Sequence, residues 1–290
     1  MVSTPNVSEK AKIGLILGVL LITLIVVFWA LIPQFKAVLS GENGFLIRFY
    51  AVGQGDAILI QEGNSQILID GGPNDDILSY LGRDLLPWDR EIELIVATHP
   101  QADHITGLIG VLERYKVGKV LYYQSAYDTK TYERFLEAVK NEGAQVLSAS
   151  AGGQIQVGEL LLQIMWPTAN FKAKNVNDES IVAVLDYKNF EVLLLGDAEQ
   201  RVQKQLFINV DIEVVKMAHH GSWNGTYEPL LRAIAPDLAI ISVGANNQYG
   251  HPHNQTLGLL AKIGLPLLRT DLDGTIVVKS DGYDFWYSIE

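Results

Sequence analysis

The sequence contains no cysteine, which excludes disulfides and every thiolate metal site. Any metal centre must then be built from imidazole and carboxylate groups. Positive charge is also scarce. Lys and Arg number 22 against 33 Asp and Glu, giving a net charge of −11. Extended contact with nucleic acid uses a basic face, so this balance counts against non-specific polyanion binding. A local patch is still open to Arg114, Lys116, Lys119, Lys130, Arg134 and Lys140. Histidine is rare too, with six in 290 residues, and four of them fall at two places: His99 with His104, and His219 with His220. The hydrophobic share of 48% supports a substantial core, enough for one large domain or two modest ones.

One long apolar run stands out. Ile13 to Ile32 has no charged residue and a single hydroxyl, Thr23. At about 1.5 Å per residue it reaches roughly 30 Å, the thickness of a bilayer's hydrocarbon layer. A cleaved signal peptide has a shorter apolar region and a small-residue end, whereas this run closes on Phe28-Trp29-Ala30-Leu31-Ile32-Pro33. The expectation is a tail over residues 1–12, a transmembrane anchor over 13–32, a linker over 33–44 and one domain over 45–290. Trp29 and Phe35 suit an interfacial position. Lys10 and Lys12 before the run, against Lys36 after it, favour an inside N-terminus. The chain is thus expected to be a single-pass protein of the cell membrane with its domain on the outer face.

From Phe45 onward the pattern is that of short strands punctuated by glycine and interspersed with helices. Predicted strands include Phe45–Tyr50, Ala57–Ile60, Gln66–Ile69, Ile92–Ala97, Glu191–Leu195, Ile212–Ala218 and Leu238–Val243. Helical spacing marks Asp75–Leu81, Ile105–Tyr115, Thr131–Lys140, Glu199–Phe207, Tyr227–Ala233 and Thr256–Ile263, and the polar stretch Phe171–Asp178 reads as a loop. Such an alternation implies a layered α/β domain. Gly53-Gln54-Gly55 is no dinucleotide fingerprint, because a strand follows where a helix is required.

Several apolar strands end in polar tips: Thr98-His99-Pro100-Gln101-Ala102-Asp103-His104, Gly196-Asp197, His219-His220-Gly221-Ser222 and Gly244-Ala245-Asn246-Asn247. Strands sharing one direction bring such tips to one rim, where a rigid scaffold holds them. His99, Asp103, His104, Asp197, His219 and His220 are therefore the candidate metal ligands. The remaining histidines, His251 and His253, flank Pro252 in a loop beyond Asn247.

Taken in order, Val52-Gly53-Gln54-Gly55-Asp56, Ile69-Asp70-Gly71-Gly72, the Thr98–His104 segment, Leu195-Gly196-Asp197, Ala218–Ser222 and Tyr249-Gly250-His251-Pro252 resemble the metallo-β-lactamase superfamily. They look most like the soluble hydrolase-like domain of ComEC-type competence proteins. The resemblance covers Phe45 to Glu290. It implies a four-layer αββα sandwich with a metal centre at one edge, preceded here by the transmembrane helix. It also implies a hydrolase of phosphodiesters, with nucleic acid the first substrate class. By position, His99 would serve a first ion. Asp103 and His104 would serve a second, together with His219 or His220, and Asp197 would bridge the two. Asp70 would buttress the site. Asp103 would orient or accept a proton, and His251 would lie near the substrate.

Two departures matter. The family's motif carries a histidine where this chain has Gln101, and an acidic residue is usual where it has Ala51. An amide oxygen is a poorer zinc ligand than imidazole. The expectation is one firmly bound divalent ion, zinc or manganese, with a weaker second position. Two other readings stand beside the hydrolase of phosphodiesters. One is a non-catalytic binding or scaffold domain with a degraded metal site. The other is a hydrolase of small esters or lactones. A single span offers no channel of its own.

Overall fold

The computed structural model describes residues 12, 14–27, 44–169, 171 and 173–290. The chain divides into two compact units, Met1–Gly44 and Phe45–Glu290. In the first, residues 14–27 form helix α1, whose apolar side chains stand exposed. Among the described residues no helix is long and apolar enough to cross a membrane. The other residues of the predicted span, 13 and 28–32, and linker residues 33–43 lie outside the described residues.

The larger unit opens with strands β1 (Phe45–Phe49), β2 (Ile58–Glu62) and β3 (Ser65–Ile69) and helix α2 (Asp76–Asp84). Next come β4 (Glu91–Ala97), α3 (Ala102–Leu112), β5 (Lys116–Tyr122), α4 (Lys130–Glu142) and β6 (Gln145–Ser148). The second half holds β7 (Gln154–Val157), β8 (Leu160–Trp166), β9 (Val182–Tyr187), β10 (Phe190–Leu194), α5 (Gln200–Gln203) and β11 (Val214–Lys216). It closes with α6 (Glu228–Ile234), β12 (Leu238–Ile241), α7 (Asn254–Ile263), β13 (Leu267–Arg269), α8 (Thr270–Asp273), β14 (Ile276–Ser280) and β15 (Phe285–Ile289). Strands β9 and β13 are additional to those the pattern predicts. The predicted helix over Glu199–Phe207 shrinks to one turn. Its apolar face has little beyond Val202 to bury, and Phe207 stands 78% exposed.

Two sheets result, ordered β15-β14-β1-β2-β3-β4-β5-β6 and β13-β12-β11-β10-β9-β8-β7. Strands β3 to β6 run parallel in the first, and β10 to β13 in the second. Strand alternation sorts the side chains. Ile67, Ile69, Leu94 and Val96 meet Leu185, Val192, Leu194 and Val214 between the sheets. Leu68, Ile95 and Ala97 face α2, α3 and α4 on one outside, among Ile77, Leu108 and Phe135. Leu193, Val215 and Ile241 face α6 and α7 on the other, among Leu231 and Leu260. The result is the expected α/β arrangement of four layers. Parallel strands covered on both faces explain the apolar runs Leu94–Ala97 of β4 and Val192–Leu194 of β10.

Backbone contacts lock α3 to the turn after β3. Gly107 N donates to Gly72 O (3.1 Å) and Gly71 N to His104 O (2.7 Å). A Cβ on Gly107 would collide with the carbonyl oxygens of Gly71 and Asn74, so the approach requires glycine. Gly107→Ala is expected to cost about 3 kcal/mol in urea unfolding, because backbone cannot yield as a side chain can.

At the β10–β11 border two acids crowd. Glu191 N donates to Glu213 Oε2 (2.7 Å). Burial and then the Glu213 charge push the Glu191 carboxyl from 4.5 up to about 7. The folded chain thus keeps a proton that the unfolded chain releases. Stability then falls as pH rises. This contribution is full below about pH 4.5 and lost by about pH 7. Glu191→Gln is expected to raise the thermal midpoint by about 2 °C at pH 8 and to leave it unchanged near pH 4.5, by calorimetry.

Candidate metal centre

The predicted ligands converge at the carboxyl ends of the parallel strands, where open α/β sheets place ligands. The key support is Asp70, just after β3, held at φ 56°. Its Oδ1 accepts from Thr98 N (2.8 Å), and its Oδ2 from Thr98 Oγ1 (2.7 Å) and His104 Nδ1 (2.7 Å). With Nδ1–H committed, a neutral His104 turns a bare Nε2 into the site. That atom is buried, has no hydrogen-bond partner and lies 3.4 Å from Asp197 Oδ2.

His220 is built the same way. The backbone at His219 and His220 is left-handed, with φ of 50° and 52°. His220 Nδ1 donates to Ser242 O (2.9 Å), beyond β12. Its Nε2 is buried and unpartnered, 3.4 Å from Asp103 Oδ2 and 3.7 Å from Asp197 Oδ2. Asp197, in the turn after β10, has its backbone N donating to Ser180 Oγ (3.1 Å), and both its buried carboxylate oxygens lack partners. Asp103, in the first turn of α3, is the one carboxylate of this group with an open side chain, 32% exposed.

The two neighbouring histidines diverge. His219 Nε2 stands 3.9 Å from Asp197 Oδ2, while its Nδ1 faces Asn177 Nδ2 (3.4 Å) and Glu199 Oε1 (3.7 Å). The His251 ring lies 5.3 Å from that of His219, half-buried at the mouth, with Nδ1 unpartnered. His253 takes no part in the cluster and accepts from Trp223 N (2.9 Å). His99 is brought to the centre but is occupied. Its Nε2 is hydrogen-bonded to Gln101 Oε1 (2.8 Å) and its Nδ1 to Thr98 Oγ1 (3.1 Å).

The electrostatics ask for positive charge. Burial opposes a proton on His104, yet Asp197, Asp70 and Asp103 overcome it and hold its pKa well above the usual value. Burial likewise opposes charge on His220, but Asp197, Asp103 and Asp56 raise it to about 9. His99 and His251 go the other way. Burial, and then the neighbouring histidines, lower both to about 4. A field that keeps protons on two buried imidazoles suits a divalent cation, whose binding would displace them. Ligand atoms lie within 4.8 Å of one another in the sets His99, His104, Asp197 and Asp103, His104, His220. The residues present therefore fit a divalent ion.

Two residues escaped the reading of the sequence. Asp56 and Lys216 form a buried ion pair under the centre. The available signal was a lone lysine in the otherwise apolar run Val214–Ala218. Two of the basic residues proposed as a patch carry their own counter-charges, Lys116 Nζ on Glu91 (2.9 Å) and Arg114 beside Glu113 (3.6 Å).

The profile of the metallo-beta-lactamase superfamily matches residues 50–245. The chain is similar to ComE operon protein 3 of Bacillus subtilis, 28% identical over an alignment of 252 residues that covers 78% of this chain and 32% of that protein. It is similar to Recombination protein 2 of Haemophilus influenzae, 30% identical over 234 residues, 79% of this chain and 28% of that protein. The chain thus spans about a third of the length of these curated relatives. Among solved structures it is similar to the metallo-beta-lactamase fold protein YhfI of Bacillus subtilis. The TM-score is 0.55 at 10% identity, over 84% of this chain and all of that one.

Gln101 occupies the His99 nitrogen that a further ion would use. Gln101→His is expected to add about one equivalent of zinc per chain over the wild type, read by elemental analysis after dialysis.

Proposed function

The chain belongs to the metallo-beta-lactamase superfamily, and from that membership we propose that it is a membrane-anchored, metal-dependent hydrolase of phosphodiesters. Nucleic acid is the first substrate class to test, in keeping with the similarity to ComE operon protein 3 and Recombination protein 2. The observation that carries the reading is the set of buried, unpartnered atoms facing one another: His104 Nε2, His220 Nε2 and both oxygens of Asp197. Asp103, His104, Asp197 and His220 would hold one ion firmly, zinc or manganese. When bound, it supplies Lewis acidity and brings the pKa of a water toward neutrality.

The chain's own groups do the rest. Asp70 and the Ser242 carbonyl fix the two imidazoles with Nδ1–H turned down, so their orientation needs no adjustment on binding. Asp103 is the exposed carboxylate at the mouth, placed to accept a proton from an attacking water. His251 stays neutral at pH 7 and offers a ring nitrogen to a phosphate oxygen at the mouth. His219, steadied by Asn177 and Glu199, lines the same wall. The proposed anchor is residues 13–32, supported by their uncharged run and by the exposed Leu15, Leu20 and Ile22 in the described part, and the lysine balance around it would put the domain on the outer face.

A scaffold role has one observation in its favour, the Gln101 contact on His99. A degraded centre has no reason to keep three other ligand groups buried without partners at a cost of about 1–3 kcal/mol each.

The test uses the full chain with manganese or zinc on bis(p-nitrophenyl) phosphate and on a single-stranded oligonucleotide. His104→Ala is expected to lose metal and to lower turnover at least about 100-fold, with the circular dichroism spectrum unchanged. A wild-type chain that stays metal-free after supplementation would sink the proposal.

A further inference from the structure

Lys216 ends β11 and is fully buried. Val214, two residues earlier, packs between the sheets while Val215 faces the helices, so strand alternation turns Lys216 between the sheets as well. Among the described residues it is the one buried side chain of Lys or Arg. Its Nζ meets Asp56 Oδ2, on the segment leading into β2 of the other sheet. A buried pair of this kind is weak support for a fold, since apolar replacements of similar volume are often as stable or more so. Its placement supplies another reason for it.

The pair lies on the floor of the centre. Asp56 Oδ1 is 3.5 Å from His220 Nδ1, and Oδ2 is 4.0 Å from His104 Nδ1. Asp56 Oδ1 is buried and has no hydrogen-bond partner of its own. Both rings therefore have a carboxylate beneath Nδ1, on the side away from the unpartnered Nε2 atoms. Asp56 is itself tethered from two directions: its N donates to Asp103 O (3.3 Å), and its O accepts from Gly72 N (2.8 Å).

We propose that the Asp56–Lys216 pair positions the metal centre from below. Asp56 backs the Nδ1 edge of both imidazoles with its charge, adding to the hydrogen bonds that the rings donate to Asp70 and Ser242 and that present Nε2, and Lys216 fixes Asp56 and offsets its charge. Neither residue touches the substrate, so both act through His104 and His220. The proposal rests on the metal-centre reading above. It adds a control of metal affinity located between the two sheets.

The experiment measures manganese and cobalt affinity of the full-length Asp56→Asn/Lys216→Met double variant, with urea unfolding alongside. A folded double variant should bind about 10–100-fold more weakly than the wild type, with the same stoichiometry and an unchanged set of cobalt ligand-field bands. A folded double variant with wild-type affinity would overturn the proposal. So would the loss of a band or of an equivalent, which would make Asp56 a ligand. Should the double variant not fold, Asp56→Glu keeps the charge and moves the carboxylate by one methylene. Weaker binding by folded Asp56→Glu supports positioning, and wild-type affinity refutes it. A wild-type chain that binds no metal removes the metal-centre reading itself, a result distinct from equal affinities.

Discussion

The Asp70 carboxylate is the constraint on which the site depends. It accepts hydrogen bonds from Thr98 N, Thr98 Oγ1 and His104 Nδ1. In one residue it joins the end of β3, the end of β4 and the first turn of α3. The left-handed backbone at Asp70 is an uncommon conformation for a residue with a side chain, and three accepted bonds hold it there. The glycine contacts between α3 and the Gly71-Gly72 turn serve the same junction. Without that close approach the His104 ring could not reach Asp70, and its Nε2 would not face Asp197. The geometry of the centre is thus set by backbone packing one layer below it.

Charge explains why the centre favours positive charge. Asp56, Asp70 and Asp197 are buried, Asp103 is partly so, and Lys216 is the single buried ammonium among the described residues. Isolated buried carboxylates are costly, so the surplus must be met by protons on His104 and His220 or by a metal. The neighbouring residues His219 and His220 show how local backbone divides one dipeptide between two tasks. With both in the left-handed region, His220 turns inward to Ser242 O, and His219 faces Asn177 and Glu199.

Much of this was legible in the sequence, for definable reasons. Parallel strands buried on both faces leave mostly apolar stretches, so β4, β10 and β11 were readable despite Glu91, Glu93, Glu191 and Lys216, and their tips named His99, Asp197 and the His219-His220 pair. The alternation of strands and helices pointed to a layered α/β domain, and the four layers were what the family resemblance implied. Other features were not legible. One turn of α5 was mistaken for a longer helix, because helical spacing says nothing about whether a face has a partner. The choice between His219 and His220 depends on φ and on Ser242, which no spacing reports. Gln101 could be marked as a departure, yet only geometry shows its amide on the His99 nitrogen. Asp56 and Lys216 lie 160 positions apart, and their pairing exists only once two sheets are stacked.

The acidity of the chain and its reading as a phosphodiester hydrolase are compatible once the charges are located. Arg114 and Lys116, between α3 and β5, are each beside a glutamate, which offsets their charge for a polyanion. A protein that binds nucleic acid by neutralising many phosphates needs a basic track. Under the proposed function the centre would need only enough attraction for one phosphodiester group, which a bound cation would supply. Around the mouth stand His251 and His219; burial lowers the pKa of each, which favours the neutral imidazole, so neither brings a charge of its own to the substrate. The acid left at the opening is Asp103, whose charge faces His220. On this reading affinity is concentrated at the cleaved group and not spread along a strand, so weak salt dependence of turnover is the behaviour that distinguishes this chain from a basic nuclease.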